Sequence, residues 1–286
     1  MSGQPARTHA YAARCLVIRG RSFVWGERTF VMGIINVTPD SFSGDGLGGD
    51  VAASVAQALA FEAAGADILD LGAESSRPGA EELEEGTEAL RLMPHLRAIR
   101  AATALPISVD TYHAAVAEQA LAAGADMLND IHGFQRDPRM AKVAATADVP
   151  IIAMHNQRGR HVTDVGVELM AGIERIEAIA ASAGIARGQL IVDPGFGFGW
   201  TPAENLELIR QIPKLSSAGL PILVGVSRKS TIGHVLGSGT GERLDGAAAL
   251  VTLAIAGGAD IVRVHDVAAM VRVCRMADAV IRGWEG

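Results

Sequence analysis

Short runs of Val, Ile, Leu and Ala recur along the chain at 30–36, 67–73, 106–110, 126–131, 149–155, 189–193, 221–227 and 260–265. Longer stretches of amphipathic, helical character separate them, for example 50–64, 81–101, 112–123, 163–183 and 267–282. Small and branched residues in short apolar runs suit strands that are covered on both faces. A strand followed by a helix, eight times over, predicts parallel pairing, and eight parallel strands close into a barrel. The pattern therefore predicts an α/β fold, a (β/α)8 TIM barrel. An open, doubly wound sheet is the alternative. It usually has fewer strands and a Gly-rich turn directly after the first, which the run at 30–36 lacks.

An internal echo supports this reading. Gly65-Ala66-Asp67 recurs as Gly124-Ala125-Asp126 and again as Gly258-Ala259-Asp260, each between an Ala-rich helical stretch and a short apolar run. Gly suits the left-handed end of a helix, and Asp starts the turn into the strand. Ahead of the barrel, Cys15 to Gly26 reads as a β-hairpin with a Gly-containing turn, expected to plug the N-terminal mouth. Residues 1–14 read as a disordered polar tail, and 15–286 as a single barrel domain.

Composition narrows the possibilities. Hydrophobic residues make up 49% of 286 and aromatic residues only 4%, enough for a sizeable core built from small and aliphatic side chains. A net charge of −7 without a basic stretch offers no footprint for nucleic acid or an anionic membrane. No apolar run is long enough to span a bilayer, and no hydrophobic signal core is evident. Cys15 and Cys274 read as two buried free thiols of a cytoplasmic protein.

In barrels of this kind the chemistry lies at the C-terminal ends of the strands. Here those ends carry Asn36, Asp110, Asn129, Met154-His155, Asp193, Lys229 and Arg263-Val264-His265. One such residue could be a helix cap, but a whole ring of them points to a ligand. Carboxylates and amides beside a Lys suit a flat, nitrogen-rich heterocycle. Arg263 and His265 are placed to hold an anion, and Asn36 beside Asp40 offers hard oxygens for Mg²⁺.

At these residues the chain resembles the dihydropteroate synthase family of pterin-binding barrels. The matching stretches are Gly33-Ile-Ile-Asn-Val-Thr-Pro-Asp-Ser-Phe-Ser43, Glu74-Ser-Ser-Arg-Pro-Gly-Ala80, Ser108-Val-Asp-Thr111, Asn129-Asp-Ile131, Asp193 to Gly199, Ser227 to Ser230 and Arg263 to Asp266. The resemblance implies condensation of 6-hydroxymethyl-7,8-dihydropterin pyrophosphate with 4-aminobenzoate, giving 7,8-dihydropteroate and pyrophosphate in folate biosynthesis. It implies a pterin site of Asp110, Asn129, Met154, Asp193, Lys229 and Arg263. It places pyrophosphate and Mg²⁺ at Asn36, with Arg263 and His265 also on the pyrophosphate. It places 4-aminobenzoate, and the sulfonamides that mimic it, among Phe42, Ser76, Arg77, Pro78, Phe198 and Ser230. Asp110, Arg263, His265 and Lys229 become the catalytic set, and a homodimer through the late helices is implied. Val271, Val273, Met276 and Val280 of the last helix could serve that dimer or face the strands.

The chain departs from the family pattern in three loops. Ser76 stands where Thr is usual, Ser43-Gly-Asp-Gly-Leu-Gly-Gly49 differs from the usual first loop, and Met154-His-Asn-Gln-Arg-Gly-Arg160 from the usual fifth. A weakly active or inactive relative that still binds pterin or sulfa-like ligands is the alternative reading. A pterin-dependent methyltransferase is a further one.

Overall fold

The structure is a computed structural model that describes residues 15–38, 49–74 and 82–284. Residues 1–14, read as a tail, and the site candidates Phe42, Ser76, Arg77 and Pro78 lie outside the described residues. An antiparallel hairpin comes first, β1 (Cys15–Ile18) and β2 (Arg21–Val24). Eight parallel strands follow: β3 (Phe30–Asn36), β4 (Ile68–Gly72), β5 (Ile107–Asp110), β6 (Met127–Asp130), β7 (Ile151–Met154), β8 (Leu190–Asp193), β9 (Leu223–Val224) and β10 (Ile261–Val264). Between and after them run α1 (Val51–Ala64), α2 (Glu85–Ala102), α3 (Ala114–Ala122), α4 (Arg139–Ala147), α5 (Val165–Ala183), α6 (Pro202–Ser216), α7 (Ser230–Leu236), α8 (Leu244–Gly257) and α9 (Val267–Ile281). A parallel bridge from Val192 to Ile222 joins the two ends of the sheet and closes the barrel.

The eighth-part repeat has a structural cause. Gly65, Gly124 and Gly258 take φ of 97°, 104° and 109°, and Ala66, Ala125 and Ala259 donate back into the helix just ended. Each Asp then clasps the preceding strand. Asp67 N donates to Val31 O while its carboxylate accepts from Val31 N. Asp126 does the same with Ile107, and Asp260 with Ile222. The Asp thus sets the stagger between neighbouring strands as well as starting its own.

β9 is shorter than the run at 221–227 suggested. Pro221 has no N–H for a ladder, and only Leu223 and Val224 pair in strand geometry. The hairpin plugs the barrel as expected: Leu16, Ile18, Phe23 and Trp25 form one buried cluster with Phe30, Met32, Ile68, Met127, Ile152, Ile191, Leu223 and Ile261 at the bottom of the barrel. The expectation of two buried thiols is corrected. Strand alternation turns Leu16 and Ile18 inward and Cys15 outward, so Cys15 is exposed and only Cys274 is buried. On α9, Val271 is buried while Met276 and Val280 are exposed. No helix among the described residues is long and apolar enough to cross a membrane.

Candidate functional site

Strand alternation also decides which side chains enter the mouth. In β4, Ile68 belongs to the bottom cluster while Leu69 and Leu71 pack outward among the helices. Asp70 therefore points into the barrel, one layer above Ile68, and is fully buried. By the same alternation Asp110, Asn129, Met154, Asp193 and Arg263 face inward from β5, β6, β7, β8 and β10.

Arg263 organises this layer. Its Nε donates to Asp70 Oδ2 at 2.5 Å and one terminal nitrogen to Asp110 Oδ2 at 2.7 Å. Asn129 Nδ2 donates to the same Asp70 oxygen at 3.2 Å. Burial alone would lower the Arg263 pKa, but the Asp70 and Asp110 carboxylates outweigh it and raise it. Burial pushes the Asp110 carboxyl up to about 7 against the pull of Arg263, with Asp70 adding to the rise. Asp70 was not among the expected site residues. Its signal was present, an Asp inside the apolar run Ile68-Leu69-Asp70-Leu71, but that position reads equally well as a turn or cap. Asp70 Oδ1 and Ser108 Oγ, on register partners of β4 and β5, are buried without a hydrogen-bond partner among the described residues.

The other half of the mouth comes from β8 and the turn before α7. Asp193 Oδ1 accepts from Gly195 N at 2.7 Å, and burial raises its pKa against the pull of Lys229. Lys229 Nζ donates to the Phe196 carbonyl and lies 4.4 Å from the Phe198 ring centroid. Burial lowers its pKa to about 8, with Asp193 opposing. The glycines on either side of Phe196 are sterically required. At Gly197, φ is +84° and a Cβ would come within 2.7 Å of the Lys229 side chain; at Gly195 one would come within 1.9 Å of the His155 carbonyl oxygen. Met154 is 1% exposed, on the floor between Asn129 and Asp193.

The remaining expected residues sit at the rim. Asn36 ends β3 opposite Gly72 and is half-buried. His265 Nδ1 lies 3.1 Å from Ser227 Oγ, and its backbone N–H donates to the same hydroxyl. Ser230 is exposed at the first residue of α7. Asp130, one residue beyond Asn129, turns away and caps the backbone N–H groups of His132 and Phe134.

Away from the mouth, His161 is exposed, His95 is buried against Ser54 and His132 meets the Tyr112 ring edge-on. His113 does more than pack: its Nδ1 lies 2.6 Å from Glu88, and its ligand atom lies within 4.8 Å of those of Glu88 and Glu74. Glu74 in turn accepts from the Tyr112 hydroxyl. This network braces the two ends of the β4–α2 connection, since Leu83 N also donates to Glu74.

A cleft of about 1080 Å³ lies against α9 beside Arg28, Cys274, Arg275 and Trp284. It is remote from the C-terminal strand ends, and polar groups of its lining pair with one another, Arg28 with Asp67 and Thr29 with Asp278, so the mouth is the better site.

A mouth lined by buried Asp70, Asn129 and Asp193 and half-buried Asp110, Lys229 and Arg263 at the C-terminal strand ends is the arrangement of a small-molecule enzyme. The model of the pterin binding enzymes matches residues 32–265, and this chain belongs to that family. Within it, the chain is similar to dihydropteroate synthases. It is 45% identical to that of a Synechocystis strain over 91% of this chain and 93% of the relative. Among solved structures, it is similar to dihydropteroate synthase from Clostridium difficile in the presence of pteroic acid, with a TM-score of 0.86, 40% identity and coverage of 90% and 98%. It is also similar to the Xanthomonas albilineans enzyme with 4-aminobenzoic acid, with a TM-score of 0.86, 39% identity and coverage of 93% and 98%.

Proposed function

We propose that this chain is a working dihydropteroate synthase, a transferase that joins 6-hydroxymethyl-7,8-dihydropterin pyrophosphate to 4-aminobenzoate with release of pyrophosphate. The observation that carries this reading is the Asp70–Arg263–Asp110 cluster beside Asn129, Asp193 and Lys229. It presents paired donors and acceptors for the edge of a pterin in one buried layer.

Each residue then has a physical task. Asp193 and Asn129 hold the amino-pyrimidine edge, Lys229 donates to the ring's acceptors, and Met154 packs on its face. As the C–O bond to pyrophosphate breaks, positive charge spreads into the pterin. The Asp110 carboxylate lies where that charge develops and stabilises it. Arg263 and His265 receive the growing negative charge of the leaving group. The aryl amine attacks the carbon and loses its proton to solvent or pyrophosphate. The aryl slot runs past Phe198 towards Ser230, and the family resemblance assigns Phe42, Ser76, Arg77 and Pro78 to the same substrate.

A magnesium ion fits the rim, because Mg²⁺ takes few protein oxygens and relies on water and substrate phosphate, and Asn36 offers one amide oxygen there. When bound, it supplies charge neutralisation to the pyrophosphate. The exposed Leu253 of α8 and Met276 and Val280 of α9 suit a homodimer through those helices.

The test is direct. Purified protein with Mg²⁺, the pterin pyrophosphate and labelled 4-aminobenzoate should release dihydropteroate and pyrophosphate in equal amounts. Tight pterin binding by calorimetry with no product would instead establish a binding relative without turnover.

A further inference from the structure

Two residue pairs join β9 to β10, Leu223 with Ile261 and Val224 with Val262, whereas β3 and β4 share five. Both chains nevertheless run on to residues that the proposed chemistry uses, Lys229 and His265. Side chains bridge the gap in the same register. Ser227 Oγ accepts from the His265 backbone N–H at 3.2 Å and lies 3.1 Å from His265 Nδ1. One residue on, Arg228 donates from Nε and from a terminal nitrogen to the two oxygens of Asp266, at 3.1 and 2.7 Å. Each partner lies 38 positions further along the chain, the offset of the two backbone pairs. Two side-chain rungs thus continue a ladder whose backbone bonds have stopped.

The backbone at the upper rung is strained. Arg228 takes φ +58°. This is left-handed backbone, where the Cβ of an L residue crowds the chain and Gly is the easy occupant. Two contacts hold an Arg there: its own fork to Asp266, and Arg243 at the start of α8, which donates to the Arg228 carbonyl at 2.7 Å. The left-handed step turns the chain out of the strand. The next residue, Lys229, then caps α7 in extended backbone and sends Nζ to the Phe196 carbonyl. Arg228 directly precedes Lys229, and Asp266 directly follows His265. Their side chains are 28% and 32% exposed, and an ion pair so open to water adds little to stability. A two-donor fork that keeps a strained turn beside two site residues has the character of pre-organisation.

We propose that Arg228 and Asp266 are positioning residues, whose pairing aims Lys229 at the pterin and sets His265 against the leaving pyrophosphate. This role rests on the synthase reading above, in which Lys229 and His265 face the substrate.

Arg228→Gly tests it, because it removes the fork and the strain together and so separates fold from function. The melting temperature should stay within about 2 °C of the wild type. The turnover number should fall about a hundredfold, the scale of a misplaced catalytic group. KM for the pterin pyrophosphate should change less than about threefold, because the charge that His265 meets grows only as the bond breaks. Asp266→Asn should lose as much, and the double variant no more than either alone, since all three remove one rung. A turnover number within about twofold of the wild type in Arg228→Gly overturns the inference, and so do single losses that multiply in the double variant. If Arg228→Gly does not fold, Asp266→Asn is read against the same limits. Wild-type turnover reads the synthase assignment separately. With an inactive wild type, calorimetry gives the Kd of free pyrophosphate, the fully charged leaving group, with pterin bound. A Kd about tenfold weaker in Arg228→Gly supports the positioning role, and an unchanged one overturns it.

Discussion

At the scale of single residues, the mouth holds two groups displaced towards neutrality from opposite directions. Burial brings Asp110 up to about 7 and Lys229 down to about 8. The mechanism we propose needs both in their charged forms, Asp110 to face the pterin cation and Lys229 to donate to the ring. Below about 7 Asp110 gains a proton and activity falls; above about 8 Lys229 loses one and activity falls again. We therefore expect a narrow, bell-shaped kcat/KM profile, measured by initial rates over the range spanning both values. A flat profile would show that at least one of the two charges is dispensable. Asp110, Asn129, Asp193 and Lys229 were legible in the sequence because each ends an apolar run. Asp70 was not, because its role depends on Arg263, which lies 193 positions away.

At the scale of elements, the Gly-Ala-Asp junction does two jobs that a linear reading separates only in part. The Gly was readable as a helix end, since only a residue tolerating positive φ fits there. The Asp was readable as a turn residue, but its carboxylate serves the previous strand, and that partner belongs to another part of the sequence. Asp126 also pairs with Arg100 at 2.9 Å. Replacing it, Asp126→Ala, strips an N–H acceptor from Ile107 and the carboxylate partner from Arg100, and should cost about 2 kcal/mol. The shift in denaturant midpoint measures this. A change within about 0.5 kcal/mol would mean that neighbouring ladder bonds set the stagger without it.

At the scale of the whole molecule, the barrel is an apolar cylinder closed at the bottom by the hairpin and left polar at the top. Phe23 is 2% exposed and packs 4.8 Å from the Phe30 ring, so it joins the plug to the first barrel strand. Phe23→Ala should destabilise the fold by roughly 3–5 kcal/mol, with the loss visible in thermal unfolding and little change in KM for either substrate. A larger effect on KM than on stability would mean that the plug shapes the mouth as well. The sequence by itself determined the architecture, because strand and helix periodicities and the glycines at helix ends are local properties that any reader of the chain can count. It also determined which polar residues reach the strand ends. Only the tertiary structure decided their partners: that Arg263 is shared by Asp70 and Asp110, that Lys229 turns to Phe196, and that Arg158 stands over Phe198. Charge pairing depends on distance through space and on burial, and neither is fixed until the barrel closes.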